Sequence, residues 1–242
     1  MPSDPRSGAT PADILAPLLR AEPFRTCALV LDGTGIPLTS LRDRDRLEAI
    51  LARFAASQRV TPGRALASLW LCRYLAVVLP HAVLALALAG WRFPIDAPVP
   101  LLRIDGRAGQ PVALVLAGMG GACAEPLDVT LTPFLEAYLQ PLVVLLEEIT
   151  GLPRQVAWSN LASLLEHCAR YALRQGAGAG RVEPLLAWTH PDWARIGTLG
   201  DFIGQAADGR RRRRICCLCF ELGGAWCLDC PARLPAKGGC AG

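Results

Sequence analysis

Five cysteines lie within fifteen residues in the last part of the sequence. Five consecutive arginines, residues 210–214, come before them with one residue between. Cysteine thiolates are the ligands of structural zinc sites and of iron–sulfur clusters. The spacing therefore points to a metal centre or a redox group. The five cysteines are Cys216, Cys217, Cys219, Cys227 and Cys230.

The chain has ten cysteines, and the compartment bears on what they do. The N-terminal sequence MPSDPRSGATPAD has no apolar run behind a basic start, so we expect no secretory signal and a cytoplasmic protein. Disulfide frameworks are rare in that reducing compartment, which leaves metal binding or redox chemistry for the clustered cysteines. Isolated cysteines in apolar sequence are predicted to be small buried hydrophobic residues. These are Cys27, Cys72, Cys123 and Cys168.

Two kinds of metal centre compete for the clustered cysteines. A zinc site built from two knuckles expects a C-x2-C pair on each side, and only Cys227 and Cys230 have that spacing. The neighbouring side chains of Cys216 and Cys217 point in different directions, so both reach one tetrahedral ion only with backbone strain. A cluster with two iron atoms relieves that problem. The spacing favours an iron–sulfur centre, with zinc, a disulfide or free thiols as alternatives.

The positive charge is concentrated beside these cysteines. The net charge is +4, and residues 210–214 alone contribute five positive charges. Four thiolates on an oxidised two-iron, two-sulfide core carry a net charge of about −2. The guanidinium groups and the backbone amides of Gly223 and Gly224 would offset it and raise the reduction potential. The alternative is a solvated basic patch that binds anionic lipid or nucleic acid.

The segment RRRRRICCLCFELGGAWCLDCP, residues 210–231, resembles the C-terminal signature of the FhuF-like ferric siderophore reductases. In that family a Cys-Cys pair, a spacer and a Cys-x2-Cys pair hold a [2Fe-2S] cluster. The upstream segment ASLWLCRYLAVVLP, residues 67–80, is similar to the family's helix that contains Trp and Tyr and ends in Leu-Pro. The chain length and the order of domains also match.

The resemblance implies that Cys216, Cys217, Cys227 and Cys230 hold a [2Fe-2S] cluster. Nine residues separate Cys217 from Cys227, which is one fewer than in the family. A one-residue deletion in the loop explains this difference. Alternatively Cys219, which the family's pattern lacks, replaces Cys216 or Cys217 as a ligand.

The function implied by the resemblance is one-electron reduction of a ferric siderophore in the cytoplasm. Hard oxygen ligands hold Fe(III) more tightly than Fe(II), so reduction releases the iron. The electron would come from a soluble ferredoxin or reductase, because neither a G-x-G-x-x-G segment after a strand nor a Walker loop predicts a nucleotide or flavin site. No nucleic-acid partner is expected, and peripheral attachment to the inner face of the cytoplasmic membrane stays open.

Two alternative functions come from other classes. One is a zinc-stabilised binding module whose Arg-rich tail contacts nucleic acid or an acidic membrane surface. The other is a siderophore-handling scaffold without redox function. A zinc module would be colourless, whereas a two-iron cluster would absorb visible light.

The rest of the chain must position the cysteine-rich tail. Hydrophobic residues make up 52% of the sequence and the mean hydropathy is +0.32, which is enough for a sizeable core. We predict an α+β fold, with a mainly helical large domain, short β-hairpins and a small C-terminal iron–sulfur segment. The predicted divisions are a disordered leader at 1–9, a siderophore-reductase-like domain at 10–208, and a basic, Cys-rich, [2Fe-2S]-binding segment at 209–242.

Local patterns predict the hairpins and most of the helices. Turn signals at Asp32-Gly33-Thr34-Gly35 and at Asp105-Gly106 predict two hairpins. Helices are predicted from Thr10-Pro11, from Thr132-Pro133, and from a cap at Ser159-Asn160. Another helix follows Asp43 because apolar residues recur there at i, i+3, i+4 and i+7. They are Leu47, Ile50, Leu51 and Phe54.

A long apolar run, residues 75–89, contains Pro80 and His81. A membrane span needs roughly 20 mostly apolar residues. Because proline interrupts helices, we predict two buried helices that end and restart at Pro80, with His81 as a cap at the break.

The siderophore pocket is the least defined part of the prediction. Aromatic and polar residues at helix starts and in loops are candidates, although such residues are more often core or caps. His167 lies one residue off the apolar stripe of its helix and is expected to have no role. No general acid or base is assigned, because outer-sphere electron transfer needs none. The pocket candidates are Trp158, Asn160, Trp188, His190 and Trp193.

Overall fold

The computed structural model describes residues 29–30, 33–96, 100–189, 191–193, 196–205, 209–223, 227 and 229–231. The predicted leader, the helix predicted at Thr10-Pro11 and Cys27 lie outside these ranges. Within them the fold is α+β and mainly helical, as predicted.

Six α-helices contain about half of the described residues. Residues Leu135–Leu139 form a π-helical turn that joins α3 to α4 without a break. Short 3-10 helices lie at Leu38–Arg42, Pro191–Trp193, Leu199–Phe202 and Cys219–Leu222. The α-helices are α1 (Arg44–Gln58), α2 (Arg64–Ala89), α3 (Leu127–Phe134), α4 (Gln140–Thr150), α5 (Arg154–Arg174) and α6 (Ala179–Ala187).

The strands are short and form one four-stranded sheet and two two-stranded ladders. The four-stranded sheet has the order β1-β5-β4-β2, and the ladders pair β3 with β6 and β7 with β8. The strands are β1 (Leu29–Val30), β2 (Ile36–Pro37), β3 (Trp91–Arg92), β4 (Leu101–Ile104), β5 (Pro111–Val115), β6 (Gly121–Ala122), β7 (Ile203–Gln205) and β8 (Arg211–Arg213).

One of the two predicted hairpins is confirmed. Strands β4 and β5 pair antiparallel, and the Asp105 carboxylate accepts hydrogen bonds from the backbone N–H groups of Arg107 and Ala108 in the turn. The first predicted hairpin is wrong, because β1 pairs in parallel with β5 while β2 pairs with β4. The β4–β5 hairpin has two edges. Strand β1 pairs with the β5 edge, and β2 pairs with the β4 edge.

Helix α2 is the axis of the core. It packs against α5 and against β5. The ring of Trp70 stacks on that of Tyr74 with centroids 5.8 Å apart, and its Nε1 donates to the Gly109 carbonyl over 3.0 Å. Gly109 has φ +64°, and a Cβ there would lie 2.4 Å from the Ile50 carbonyl oxygen. Glycine at this position therefore allows the hairpin loop to approach α1 closely.

The predicted break at Pro80 is wrong, because α2 continues through it to Ala89. An internal proline costs about 3 kcal/mol in a helix. Apolar side chains on both sides of Pro80 are buried, including Val78, Leu79 and Val83. Each fully buried aliphatic side chain contributes about 1.5–3 kcal/mol, so several of them outweigh the proline.

Two helical segments of the described chain are long and apolar enough to cross a membrane, Arg64–Ala89 and Leu127–Thr150. In the first, 78% of the most apolar window is buried inside the protein. Helix α2 is thus a buried core helix, as the sequence predicted for this run.

Two helix starts differ from the prediction. Helix α3 begins at Leu127, before Thr132-Pro133, and α5 begins at Arg154, before Ser159-Asn160. Pro153 is extended and precedes α5, where a fixed φ suits a helix start. Ser159 and Asn160 therefore lie inside the helix, and their side chains make tertiary contacts instead of caps.

His81 is 2% exposed, and neither of its ring nitrogens has a hydrogen-bond partner among the described residues. Burial lowers its pKa from 6.5 to about 4. The ring is therefore neutral in the folded protein near neutral pH.

We predict that His81→Leu removes a loss of stability on acidification. Between pH 6.5 and about 4 the unfolded chain binds a proton at His81 that the folded chain does not, so the free energy of unfolding falls as the pH falls. A shift of this size corresponds to about 3 kcal/mol. Urea unfolding of both proteins at pH 7 and pH 4.5 measures the effect. The prediction is contradicted if the free energies of unfolding of the wild type and the variant differ by the same amount at pH 7 and at pH 4.5.

Candidate metal centre

The arginine run forms a strand in the structure. Strand β8 pairs antiparallel with β7, with Ile203 opposite Arg213 and Gln205 opposite Arg211. The backbone N–H of Arg214 donates to the Phe202 carbonyl over 2.8 Å. This ladder pairs a strand of the predicted domain 10–208 with a strand of the predicted segment 209–242. The boundary between the two stays a prediction.

Polar side chains of α2 and α5 hold the chain that follows β8. Ser68 Oγ donates to the Cys217 carbonyl over 2.6 Å, and Asn160 Nδ2 donates to Ser68 Oγ over 2.9 Å. The guanidinium of Arg213 donates to Asn160 Oδ1 over 2.6 Å. Ser68, Asn160 and Arg213 are all buried. We call this chain of bonds the docking network. It fixes the backbone at Cys217 against two core helices.

A second contact neutralises Arg211. Its guanidinium forms ion pairs with Glu166 of α5 and with Asp229, and donates to the Ser163 carbonyl over 3.0 Å. Glu166 is 3% exposed and also pairs with Arg170. Two guanidinium groups therefore face two carboxylates. Arg211 therefore holds the tail on α5, and the two carboxylates compensate its charge so that it has little effect on the thiols.

The other four arginines of the run and the two glycines differ in their surroundings. The Arg212 guanidinium donates to the Cys230 carbonyl over 3.0 Å, which fixes the second cysteine pair. Arg210 and Arg214 are exposed. Arg213 acts on the thiols, because its charge adds to the hydrogen bonds of Cys219 and Cys227 in lowering the pKa of Cys217. The Gly223 N–H donates to the Phe220 carbonyl in a turn over 3.1 Å, and Gly224 lies outside the described residues.

The thiols form two pairs. The Sγ atoms of Cys217 and Cys227 lie 3.7 Å apart, and Cys230 is a neighbour of Cys216 that, after the effect of burial, raises the pKa of the Cys216 thiol. Two thiolates that share a tetrahedral metal at about 2.3 Å lie about 3.8 Å apart. Each pair combines one cysteine of the adjacent pair with one of the Cys-x2-Cys pair. Neighbouring side chains that point apart are thus an advantage, because each reaches a different partner.

The four thiols do not converge on one point. Within the described ranges, no group of three or more Cys, His, Asp or Glu side chains is placed to hold a single metal ion.

Negative charge is favoured at one of the four thiols. Hydrogen bonds from the thiols of Cys219 and Cys227, with the charge of Arg213, hold the pKa of Cys217 far below its usual value. The hydrogen bond to Cys217 raises the pKa of Cys227, and burial raises that of Cys216. Cys217 is therefore the thiolate of its pair.

Leu218 has φ +64°, a left-handed conformation that costs a residue with a Cβ about 1–2 kcal/mol. The conformation turns the backbone so that the Leu218 N–H donates to Cys216 Sγ over 3.4 Å and the Cys219 N–H donates to Cys217. The strain thus supplies two N–H groups to the adjacent cysteines. Such sets of backbone amides stabilise anionic sulfur.

The structure describes the side chains of three of the five predicted pocket residues. Trp158 is buried and its Nε1 donates to Asp192 over 3.1 Å, while Asn160 belongs to the docking network. Trp188 is half-buried against the core. His190 and the side chain of Trp193 lie outside the description. The pocket therefore stays a prediction.

Several site residues escaped the sequence analysis. Polar residues recur along α5 at Ser159, Ser163 and Glu166, and along α2 at Arg64 and Ser68. This spacing of three or four residues places each set on one helix face. A polar stripe on an otherwise buried helix is the signal that could have identified where the tail docks.

We predict that Glu166→Gln loosens the tail, because it leaves the guanidinium groups of Arg211 and Arg170 with one carboxylate. Breaking a buried ion pair costs about 3 kcal/mol, which is about a 100-fold change in the docking equilibrium. Trypsin cleavage within residues 210–214 should accelerate accordingly, as followed by mass spectrometry. The control is Glu148→Gln, which breaks an exposed ion pair with Arg44. Equal cleavage rates in the two variants would refute this role.

A second prediction concerns Leu218. Proline cannot adopt φ +64° and has no N–H, so Leu218→Pro should abolish metal binding after reconstitution with iron and sulfide. Leu218→Gly keeps both the N–H and the left-handed conformation and should bind metal. Metal content per chain and far-UV circular dichroism measure loading and folding separately. Equal loading of the two folded variants would show that the backbone conformation is unimportant.

Comparison with known proteins gives a match over the middle of the chain. The family model FhuF, described as "Ferric iron reductase FhuF-like transporter", matches residues 68–193. No curated protein matches the chain. The matched range begins at Ser68 and includes Asn160 and Glu166, but ends before the cysteine-rich tail. The matched range is just over half of the sequence, and the chain belongs to the FhuF ferric iron reductase-like family.

Proposed function

We propose that this protein is a cytoplasmic ferric siderophore reductase that holds a [2Fe-2S] cluster through Cys216, Cys217, Cys227 and Cys230. The family indicates a ferric iron reductase role. The observation that carries the finer proposal is the pairing of Cys217 with Cys227 and of Cys216 with Cys230 beside the buried Arg213.

The residues fit such a cluster. The 3.7 Å between Cys217 Sγ and Cys227 Sγ suits two ligands of one tetrahedral iron, and the other pair would serve the second iron. A [2Fe-2S] cluster, when bound, supplies one-electron redox chemistry. Cys217 and Cys230 are buried while Cys216 and Cys227 are half-buried, so the site lies close to the surface. That position suits electron transfer to a bulky substrate that does not enter the core.

The chain's own residues hold the site and set its electrostatics. Arg213 offsets negative charge near Cys217, and the N–H groups of Leu218 and Cys219 bond to the sulfur atoms. The docking network fixes the Cys217 carbonyl, so the sulfur positions depend on the helical domain. A ferric siderophore would lose its iron on reduction, because its hard oxygen ligands bind Fe(II) weakly. A soluble ferredoxin or reductase is the proposed electron donor.

The zinc-module alternative is less favoured by the geometry. A structural zinc ion needs four ligands around one point, whereas the described thiols form two pairs. Arg211, Arg212 and Arg213 bond within the protein, which reduces the charge available to a nucleic acid or an acidic membrane.

Metal analysis of anaerobically purified protein tests the proposal first. We expect about two iron and two sulfide per chain, with visible absorption that bleaches on addition of dithionite. The reduced protein should then release Fe(II) from a ferric siderophore, trapped with a chromogenic Fe(II) chelator. Zinc in a colourless protein that takes up no iron and sulfide on reconstitution would refute the cluster.

Cysteine variants identify the ligands. Serine at position 216, 217, 227 or 230 should lower the iron content and the rate of Fe(II) release at least tenfold. Cys123→Ser is the matched control, because the Cys123 thiol is half-buried and faces the Thr130 hydroxyl rather than the clustered cysteines. Loss of iron in Cys219→Ser with retention in Cys216→Ser would instead make Cys219 the substitute ligand.

A further inference from the structure

An open groove of about 540 Å³ is lined by α1, by β4 and by the turn that leads into β2. Arginine side chains line it on two sides, Arg46 and Arg53 from the helix and Arg103 from β4. No aspartate or glutamate is among the described residues that line it. The groove also shares no lining residue with the clustered cysteines or the docking network. It is therefore a basic surface feature separate from the candidate metal centre.

Arg46 and Arg53 lie on one face of α1. They are seven residues apart, which is two helical turns or about 10 Å along the helix axis. Ala49 and Ile50 lie between them on the same face, so no long exposed side chain separates the two arginines. Both arginines are exposed, and neither forms an ion pair with another described residue. Their charges are therefore available to a ligand.

The described acidic residues closest in sequence are not paired with the two helix arginines. Asp43 caps α1 by accepting the backbone N–H of Arg46 over 2.9 Å, and Glu48 forms an exposed ion pair within α1. Asp45 is exposed and forms no ion pair with a described residue. The Asp105 carboxylate accepts backbone N–H groups in the hairpin turn. None of these carboxylates lines the groove.

Arg103 is positioned by the backbone on the strand side of the groove. It is half-buried, and its Nε donates to the Thr34 carbonyl over 3.4 Å. Gly33, with φ +140°, contacts the same guanidinium, and a Cβ at this position would collide with Arg103 Nη2 and displace it. Ordering a free side chain costs free energy on binding. The part of that cost that concerns Arg103 is already met by the fold.

Guanidinium groups suit one class of ligand. Their planar N–H forks bind carboxylate and phosphate groups through two parallel hydrogen bonds. A cleft lined by charges of one sign also raises the local concentration of small molecules of opposite charge. Apolar side chains of Ile36, Leu102 and Ile104 line the groove between the charged groups. Its volume lies within the range of about 300–1,000 Å³ that is typical of small-molecule sites.

We propose that this groove binds small polyanions that carry at least two carboxylate or phosphate groups, with the anionic groups held by Arg46, Arg53 and Arg103. Because the guanidinium groups come from two sides of the groove, a ligand with several anionic groups makes more contacts than a monovalent anion does. The site goes beyond the proposed reductase function, because binding there needs neither a bound cluster nor a siderophore.

Isothermal titration calorimetry of the full-length protein with pyrophosphate and with citrate tests the site. Both titrations are done in about 150 mM NaCl, where exposed charges more than about 8 Å apart are largely screened. We expect saturable binding at one site per chain. The double variant Arg46→Gln, Arg53→Gln and the single variant Arg103→Gln should each weaken binding by at least about tenfold, because each loses charge-assisted hydrogen bonds.

The matched control is Arg107→Gln. Arg107 is exposed in the turn of the same hairpin, but it does not line the groove. Its substitution removes the same charge and should change the affinity by less than about twofold. An equal loss of affinity in Arg107→Gln and in the groove variants overturns the proposal, because attraction by the net charge alone would explain it. Failure of both probes to bind the wild type also overturns it.

The two probes distinguish the sources of the anionic groups. Tighter binding of pyrophosphate assigns the groove to polyphosphates, and tighter binding of citrate assigns it to polycarboxylates. Either preference supports the site. Iron and sulfide are counted in the same samples, so failure of the cluster proposal is read independently of this binding.

Chemical modification of arginine locates the site in the wild-type protein itself. Phenylglyoxal modifies accessible arginines, and mass spectrometry maps the modified positions with and without the tighter-binding probe. The bound probe should protect Arg46, Arg53 and Arg103, whereas modification of Arg107 should not change. Unchanged modification of the three groove arginines overturns the proposal, and this result is decisive even where a variant fails to fold.

Discussion

The buried guanidinium of Arg213 is the constraint on which the position of the cysteines depends. A buried charge is tolerated only when it is paired or fully hydrogen-bonded, and Arg213 finds its acceptor in Asn160 of α5. Asn160 in turn donates to Ser68 of α2, which donates to the Cys217 carbonyl. Removing any member leaves a buried polar group unsatisfied, which costs about 1–3 kcal/mol. The tail is therefore held by its polar contacts with the helical domain rather than by a core of its own.

This arrangement explains why α2 combines two kinds of surface. Most of its length packs in the core, and that burial outweighs the cost of Pro80. Its first turns carry Arg64 and Ser68, which contact the tail. A rigid helix fixes polar groups more accurately than a loop does. The distance between Cys217 and Cys227 is therefore tied to the packing of the core.

Local features of the fold could be predicted from the sequence, whereas contacts between distant segments could not. The helix containing Leu47 and Phe54 and the hairpin at Asp105 follow from periodicity and turn chemistry. The pairing of β1 with β5 escaped prediction because strand neighbours depend on long-range packing. The arginine run could be linked to the cysteines, but the polar stripe that contains Glu166 does not indicate that Glu166 will pair with Arg211. Likewise, the cysteines could be recognised, but not the pairs they form.

The charge around the thiols bears on the chemistry that the site can support. Of the described arginines, Arg213 acts on the thiols while Arg211 is neutralised by Glu166 and Asp229. In the proposed cluster, one guanidinium and a few N–H groups would not cancel the charge of four thiolates around two iron atoms. Excess negative charge disfavours the addition of an electron, so it lowers the reduction potential of a bound cluster. A low potential is what reduction of tightly chelated Fe(III) demands. The pairing of Arg211 with Glu166 and Asp229 thus holds the tail on the helical domain and, in the proposed reductase, would also keep the reduction potential low.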